Sequence, residues 1–191
     1  MILGSIYENK QGAGDQRIQF TMVDGKEMFP VVNEEGDIIG TASRDECHSG
    51  SKLLHPVVHL HILDDNGRLY LQKRALSKDI QPGKWDTSVG GHISPGEFVG
   101  EALLREAKEE LGIVDFVPVF IDKYVFESII EKELVHIFKT VYDGTIIPDN
   151  NELEDGRFFT RDEIEKMIIK KQTTPNFVGE FHKYKDRLCN G

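Results

Sequence analysis

The chain has 191 residues, 39% of them hydrophobic and 29% charged, which is apolar material for one core of ordinary size and not for two. A formal charge of −10 argues against a nucleic-acid polymer as partner, because such binding is driven by Lys and Arg neutralising phosphates. A small polyphosphate stays open to an acidic protein if bound cations invert the local field. No apolar run approaches the roughly 18 to 20 residues that span a bilayer, and Met1-Ile2-Leu3-Gly4-Ser5 lacks the basic flank of a secretory signal, so a soluble cytoplasmic protein with no membrane partner is expected. Cys47 and Cys189 form neither a disulfide framework nor a CxxC knuckle, and reduced thiols are the simple reading.

In chain order, residues 1–27 are polar, contain Gly12-Ala13-Gly14-Asp15 and show no sustained period, which predicts an irregular extension ahead of a single domain over 28–191. Met28 to Val32 and Ile38 to Ala42 flank a turn-like Asn33-Glu34-Glu35-Gly36-Asp37 and read as a hairpin. A second hairpin is expected from Val57 to Leu63 and Leu69 to Lys73 around Asp64-Asp65-Asn66-Gly67. Its alternation of Leu69 and Leu71 with Tyr70 and Gln72 suits a sheet with unlike faces. Trp85 to Val89 reads as one short strand ending at Gly90-Gly91. Pro95-Gly96-Glu97 then leads into a helix from Phe98 to Leu111, stopped by Gly112. Val114 to Glu127 and Leu134 to Tyr142 read as strands separated by Glu131-Lys132-Glu133. Thr160-Arg161-Asp162-Glu163 has the capping-box pattern before Ile164 to Ile169, and Pro175 opens a last helix reaching Leu188. The order predicts an α+β fold, a mixed β-sheet sandwiched between helices.

On the helix after Glu97, Leu103, Leu104, Ala107 and Leu111 form the expected inward stripe. Glu106, Glu109 and Glu110 fall at i, i+3 and i+4, so three carboxylates share one face. Like charges at that spacing cost ~0.2 to 0.5 kcal/mol per pair when solvated, and something should compensate them. A solvated acidic face is the ordinary alternative. The Gly-rich loop ahead, Glu97 at the helix start and Arg105 as a bidentate partner favour hard-oxygen ligation of Mg2+ or Mn2+ instead.

Gly91, five residues, Glu97, seven residues, then Arg105-Glu106-Ala107-Lys108-Glu109-Glu110-Leu111-Gly112-Ile113 resembles the Nudix box at every defined position. The resemblance implies the Nudix fold and hydrolysis of a diphosphate bond by metal-assisted water attack. It implies that Glu106, Glu109 and Glu110 hold the cations, helped by Glu97 and the Gly90 carbonyl. Arg105 would orient Glu97, and Glu106 or Glu109 would be the base.

Arg74-Ala75-Leu76-Ser77-Lys78 and Pro82 through His92 resemble one branch in particular, the type 1 isopentenyl-diphosphate isomerases. Those enzymes move protons on a five-carbon diphosphate and use a metal site of three histidines and two glutamates. His48, His55, His92, Glu131 and Glu133 match that pattern, a donor set suited to Mn2+, Fe2+ or Zn2+. Tyr124 and Glu133 match isomerase catalytic positions. Gly90 stands where the isomerases carry their essential cysteine, and the aromatic that shelters their carbocation is replaced near Pro175-Asn176-Phe177. The resemblance therefore favours a hydrolase of a nucleoside di- or triphosphate or another diphosphate compound, with Mg2+ or Mn2+ as cofactor. An isomerase and a non-catalytic ligand-sensing module are the alternatives. Lys73, Arg74 and Lys78 are candidate phosphate contacts, and a homodimer is the prior expectation for a small enzyme.

Overall fold

A computed structural model describes residues 22–23, 25–78, 80–149 and 153–189. The expected irregular extension lies outside the described residues up to position 21. Met22, Val23, Lys26 and Glu27, assigned to that extension, instead belong to a small antiparallel sheet of β1 (Met22–Val23), β2 (Lys26–Val32) and β3 (Ile38–Ser43). One helical turn, α1 (Arg44–Cys47), follows; Ser43 caps it and Glu46 reaches back to the Ser43 N–H at 2.8 Å. Cys47 is a buried free thiol.

The main sheet is built from β4 (Leu54–Leu63), β5 (Leu69–Arg74), β6 (Trp85–Asp86), β7 (Val89–His92), β8 (Val119–Glu127), β9 (Lys132–Val141) and β10 (Leu153–Phe159), in the order β10-β5-β4-β9-β8 with β6 on β5 and β7 on β4. The central pair β4 and β9 runs parallel over ten registered residue pairs, and the other pairs are antiparallel. Helix α2 (Val99–Leu111) covers one face, where Ala102, Leu103, Ala107 and Leu111 pack on Val58, Leu60 and Ile62. Helices α3 (Arg161–Ile169) and α4 (Pro175–Cys189) cover the other, with Phe177 and Phe181 packed on Leu69 and Leu71, and Tyr184 and Leu188 packed with Val57, Val135 and Ile137. Because both faces are covered, Leu69, Tyr70, Leu71 and Gln72 are all buried, and the expected contrast between them is absent. Leu104, expected in the buried stripe, is 46% exposed; Ala102 takes its place. Gly112 ends α2 in the left-handed region at φ 68°, and Thr160 and Glu163 form the predicted capping box of α3.

Other departures from expectation come from long-range pairing. The β4–β5 hairpin is registered only at Leu63 and Leu69, because the strands diverge beyond the turn and β6 and β7 enter between them. The single strand expected over 85–89 is thus two strands, and the residues between them stitch the gap with side chains. The Ile62 N–H donates to Ser88 Oγ at 2.8 Å, Ser88 Oγ donates to the Tyr70 carbonyl at 2.5 Å, and Thr87 Oγ1 donates to the Leu60 carbonyl at 3.3 Å. Lys132 and Glu133, expected as a break, open β9, because Leu54 and His55 of β4 pair with them. Residues 114–118, expected to begin a strand, lie ahead of β8. Strand β10 has no period-2 pattern and was not expected; it is recruited by β5. Among the described residues no helix is long and apolar enough to cross a membrane.

Candidate active site

The box is organised by Arg105. Its Nε and Nη2 donate to the two oxygens of Glu97 at 2.8 and 3.0 Å, and Nη1 donates to Glu106 at 2.8 Å and Glu109 at 3.0 Å. Nη2 also donates to the His92 carbonyl at 2.9 Å, tying the helix to β7. The loop entering α2 is closed by the Ser94 N–H on Glu97 at 2.9 Å. Glu106 lies against Gly91 so closely that a Cβ there would stand 2.0 Å from its carboxyl carbon. Burial raises the pKa of Glu106, and the Arg105 cation opposes that rise. Glu110 is only 8% exposed and accepts from the Gly90 N–H and from Gln72 Nε2, each at 3.3 Å. The Gly90 N–H therefore points away from β4, and in an extended strand the carbonyl of the same residue leaves on the same edge. Four carboxylates and that carbonyl form a hard-oxygen donor set, which fits Mg2+ or Mn2+. The close seat against Gly91 is the structural sign of that fit.

The histidines lie on the other face of β7. Alternation along the strand sends Gly91 toward α2 and Gly90 and His92 toward α4, so the two candidate metal groups are separated by the thickness of one strand and meet at the free edge by Gly90. His48 caps the C-terminus of α1, His55 opens β4 and His92 ends β7; one ring nitrogen from each lies within 4.8 Å of the others. The Leu53 carbonyl holds His55 Nδ1 at 3.0 Å, leaving Nε2 buried without a partner. A neutral imidazole presenting a lone pair, with its other nitrogen on a carbonyl, is the usual geometry of a metal-ligating histidine. The His48 and His92 Nε2 atoms are 3.3 Å apart. Burial, reinforced by nearby Arg44 and His55, lowers the His48 pKa to about 4 and holds His92 well below the ordinary range. Glu131 reaches His48 Nε2 at 3.5 Å, and Glu133 sits beside His55 in the β4–β9 register. Burial and the neighbouring Glu131 push Glu133 up to about 8. This donor set fits a borderline cation such as Mn2+, Fe2+ or Zn2+, and the orphaned His55 nitrogen is its structural sign.

A cavity of about 400 Å³ opens on this face, bounded by His48, His92, Glu131, Glu133, Phe126, Asn176 and the Gly90 edge. Of the three basic residues expected near the diphosphate, Arg74 lines this cavity, paired with Asp86 at 3.3 Å. Lys73 points to the opposite side and pairs with Glu154 at 2.8 Å, and Lys78 lies outside the lining.

Four residues here escaped sequence reasoning. His59 and His61 follow His55 at even spacing on β4, so all three project from one face. Glu180, fully buried on α4, bridges them: its oxygens lie 2.6 Å from His59 Nδ1 and 2.8 Å from His61 Nε2. The Tyr124 hydroxyl, 2.5 Å from Asn176 Oδ1, is also 2.9 Å from Glu180. Burial disfavours a cation on His59, but Glu180 outweighs it and pushes the imidazole up to about 9. The period-2 histidine spacing was a legible signal; Glu180, lying between Phe177 and Phe181, was not. Phe29 is the fourth: its ring stacks on His92 at 4.1 Å and 4°, so the small sheet walls the histidine cluster.

Residues 53–178 match the family model described as the NUDIX domain. The chain belongs to the Nudix family. Its Nudix fold is shared by the crystal structure of DR0079 from Deinococcus radiodurans, with a TM-score of 0.68 and 24% identity over 86% of this chain and 100% of that one. The MutT protein of Methanosarcina mazei Go1 gives a TM-score of 0.61 at 24% identity, covering 72% of this chain and 96% of that one. Among curated relatives, an isopentenyl-diphosphate Delta-isomerase of Mycolicibacterium vanbaalenii is 33% identical over 138 residues, 69% of this chain and 76% of the relative. Isopentenyl-diphosphate Delta-isomerase 1 of Photorhabdus laumondii is 29% identical over 171 residues, 83% of this chain and 97% of the relative. The similarity to the isomerase-like branch thus extends well beyond the box and its flank.

Proposed function

We propose that this Nudix protein is a metal-dependent hydrolase that cleaves the diphosphate bond of a nucleoside di- or triphosphate or a related compound. One observation carries the reading: Arg105 gathers Glu97, Glu106 and Glu109 while Glu110 is anchored on the Gly90 N–H, a carboxylate cluster that makes chemical sense around cations and little without them. Glu97, Glu106, Glu109, Glu110 and the Gly90 carbonyl would hold Mg2+ or Mn2+. Bound there, the cation supplies Lewis-acid neutralisation of the phosphoryl oxygens and polarises water. Glu106 or Glu109 takes the proton of the attacking water, Arg105 keeps Glu97 in place, and Arg74 offers positive charge to a phosphate. Water oxygen bonds to one phosphorus as the bridging P–O bond breaks, and the leaving phosphate takes up a proton.

A phosphate-release screen over nucleoside di- and triphosphates, nucleotide sugars and coenzymes, with Mg2+ and Mn2+ supplied separately, tests this reading. Glu110→Gln is expected to abolish turnover at unchanged melting temperature; full activity in that variant sinks the assignment. A second reading, isomerisation of isopentenyl diphosphate, is favoured by the curated relatives and by His48, His92, Glu131 and Glu133 lining one cavity with His55 clustered beside His48 and His92. Gly90 offers no acid–base side chain where those enzymes resemble this chain but carry cysteine. Incubation with isopentenyl diphosphate should yield no dimethylallyl diphosphate; its appearance would transfer the assignment to the isomerase.

A further inference from the structure

His59 on the cavity wall and Glu180 buried behind it form a pair that neither the box nor the histidine cluster uses. Glu180 is 1% exposed, and its two oxygens are committed to His59 and His61. A carboxylate only accepts, so both facing ring nitrogens must carry protons. A buried carboxylate also needs a compensating positive charge, and His59 and His61 are the residues bonded to it that can carry one. His61 is fully buried, and the Thr87 hydroxyl, 3.3 Å from both its Nδ1 and the Leu60 carbonyl, can turn its one proton to either, so a neutral His61 is satisfied there. His59 is different. Its Nδ1 is fixed on Glu180, while its Nε2 makes no hydrogen bond among the described residues. Its Cδ2–Nε2 edge lies 3.5 to 3.6 Å from where a Gly90 side chain would begin. Because Gly90 has none, the space over it is open to that edge, and both residues line the cavity.

We propose that His59, held by Glu180, is a substrate-binding residue whose Nε2–H donates to a phosphoryl oxygen of a diphosphate lying over Gly90. The inference rests on the diphosphate reading above and adds a subsite to it. Gly90 joins the two sides: its N–H meets Glu110 of the box, and its open face meets His59. A diphosphate engaged by box-bound cations at this edge comes within reach of the imidazolium, with Arg74 on the same cavity wall. Asp86 and Glu133 also border the cavity near His59; Asp86 is occupied by Arg74 and Thr174, and Glu133 accepts from Asn176 Nδ2 at 3.4 Å. Glu180 is a positioning residue, fixing the ring and its charge.

The test uses the intact protein with Mg2+ and inorganic diphosphate as the probe. Calorimetry should show diphosphate binding weakened about tenfold or more in His59→Gln and in Glu180→Gln, the loss of one charge-assisted hydrogen bond. His61→Gln should stay within about twofold. Side-chain 15N spectra of histidine-labelled protein should show His59 Nε2 shifting on titration with diphosphate, a readout that holds even if a variant fails to fold. An unmoved His59 resonance at saturation, equal losses in His61→Gln and His59→Gln, or no diphosphate binding by the intact protein overturns the proposal. Diphosphate binding with a shifted His59 but no phosphate release from any compound would leave this subsite standing and remove the hydrolase reading alone.

Discussion

Gly91→Ala separates what the fold needs from what the site needs. Gly91 does not adopt a positive φ, so its backbone accepts alanine, and the loss of glycine freedom in the unfolded chain is worth ~0.4 to 1 kcal/mol in favour of the variant. Against that, the new Cβ would stand 2.0 Å from Glu106 Cδ and 2.3 Å from its Cγ and Oε1. These atoms are the far end of a flexible side chain, so Glu106 swings away at a cost of ~0.5 to 1.5 kcal/mol for the rotamer and less than ~1 kcal/mol for its 2.8 Å contact with partly exposed Arg105. The two sides partly offset, and urea unfolding should show a net loss of no more than ~2 kcal/mol. The carboxylate, however, has retreated by more than about an ångström, a displacement worth roughly 10²-fold where a positioned group is needed. Mn2+ binding by electron paramagnetic resonance and Mg2+-dependent phosphate release should therefore fall by about that factor in a protein that still folds. Gly100→Ala, at an exposed helical position with open space around it, is the control: about 0.5 to 1 kcal/mol more stable with unchanged metal affinity. Wild-type Mn2+ affinity and turnover in Gly91→Ala would refute the close seat of Glu106 as the reason for glycine.

Arg105→Lys keeps the charge but loses the fork that serves Glu97, Glu106 and Glu109 together; metal affinity should drop about 10- to 100-fold, and a lysine variant with full affinity would show that charge alone suffices. His55→Gln should remove tight Zn2+ or Mn2+ binding at the histidine cluster while Mg2+-dependent hydrolysis survives, and a parallel loss of both would mean that the two faces of β7 form one site. For His59, raised to about 9 by Glu180 against burial, the contribution to stability is complete below the ordinary imidazole value near 6.5 and is lost as pH rises through about 9. The urea midpoint of metal-free protein should accordingly decline between those values, and His59→Gln should flatten the decline; an equally steep fall in the variant would remove His59 as its cause.

The histidine cluster, spread over α1, β4 and β7, was legible only through the resemblance to the isomerases. Spacing along single elements made other features readable: the acidic face of α2 and its stop at Gly112, the capping box of α3, the Pro175 start of α4, and the carboxylates of the box on α2. Each of these depends on contacts a few residues apart, where side-chain direction follows from helix or strand period. Other features depend on which distant strand arrives alongside. β4 and β5 separate because β6 and β7 fill the gap, β10 is a strand because β5 pairs with it, and Lys73 turns to Glu154 while Arg74, one residue on, faces the cavity. Glu180 reads locally as one acid on an amphipathic helix, and only the docking of α4 on β4 turns it into the partner of two buried histidines. The sequence by itself determined the chemistry available to this protein, because residue type and local spacing set which donors can act together. Tertiary structure alone decided that the carboxylates and the histidines lie on opposite faces of one strand and meet at Gly90, because that relation is made by sheet pairing and leaves no periodic trace in the chain.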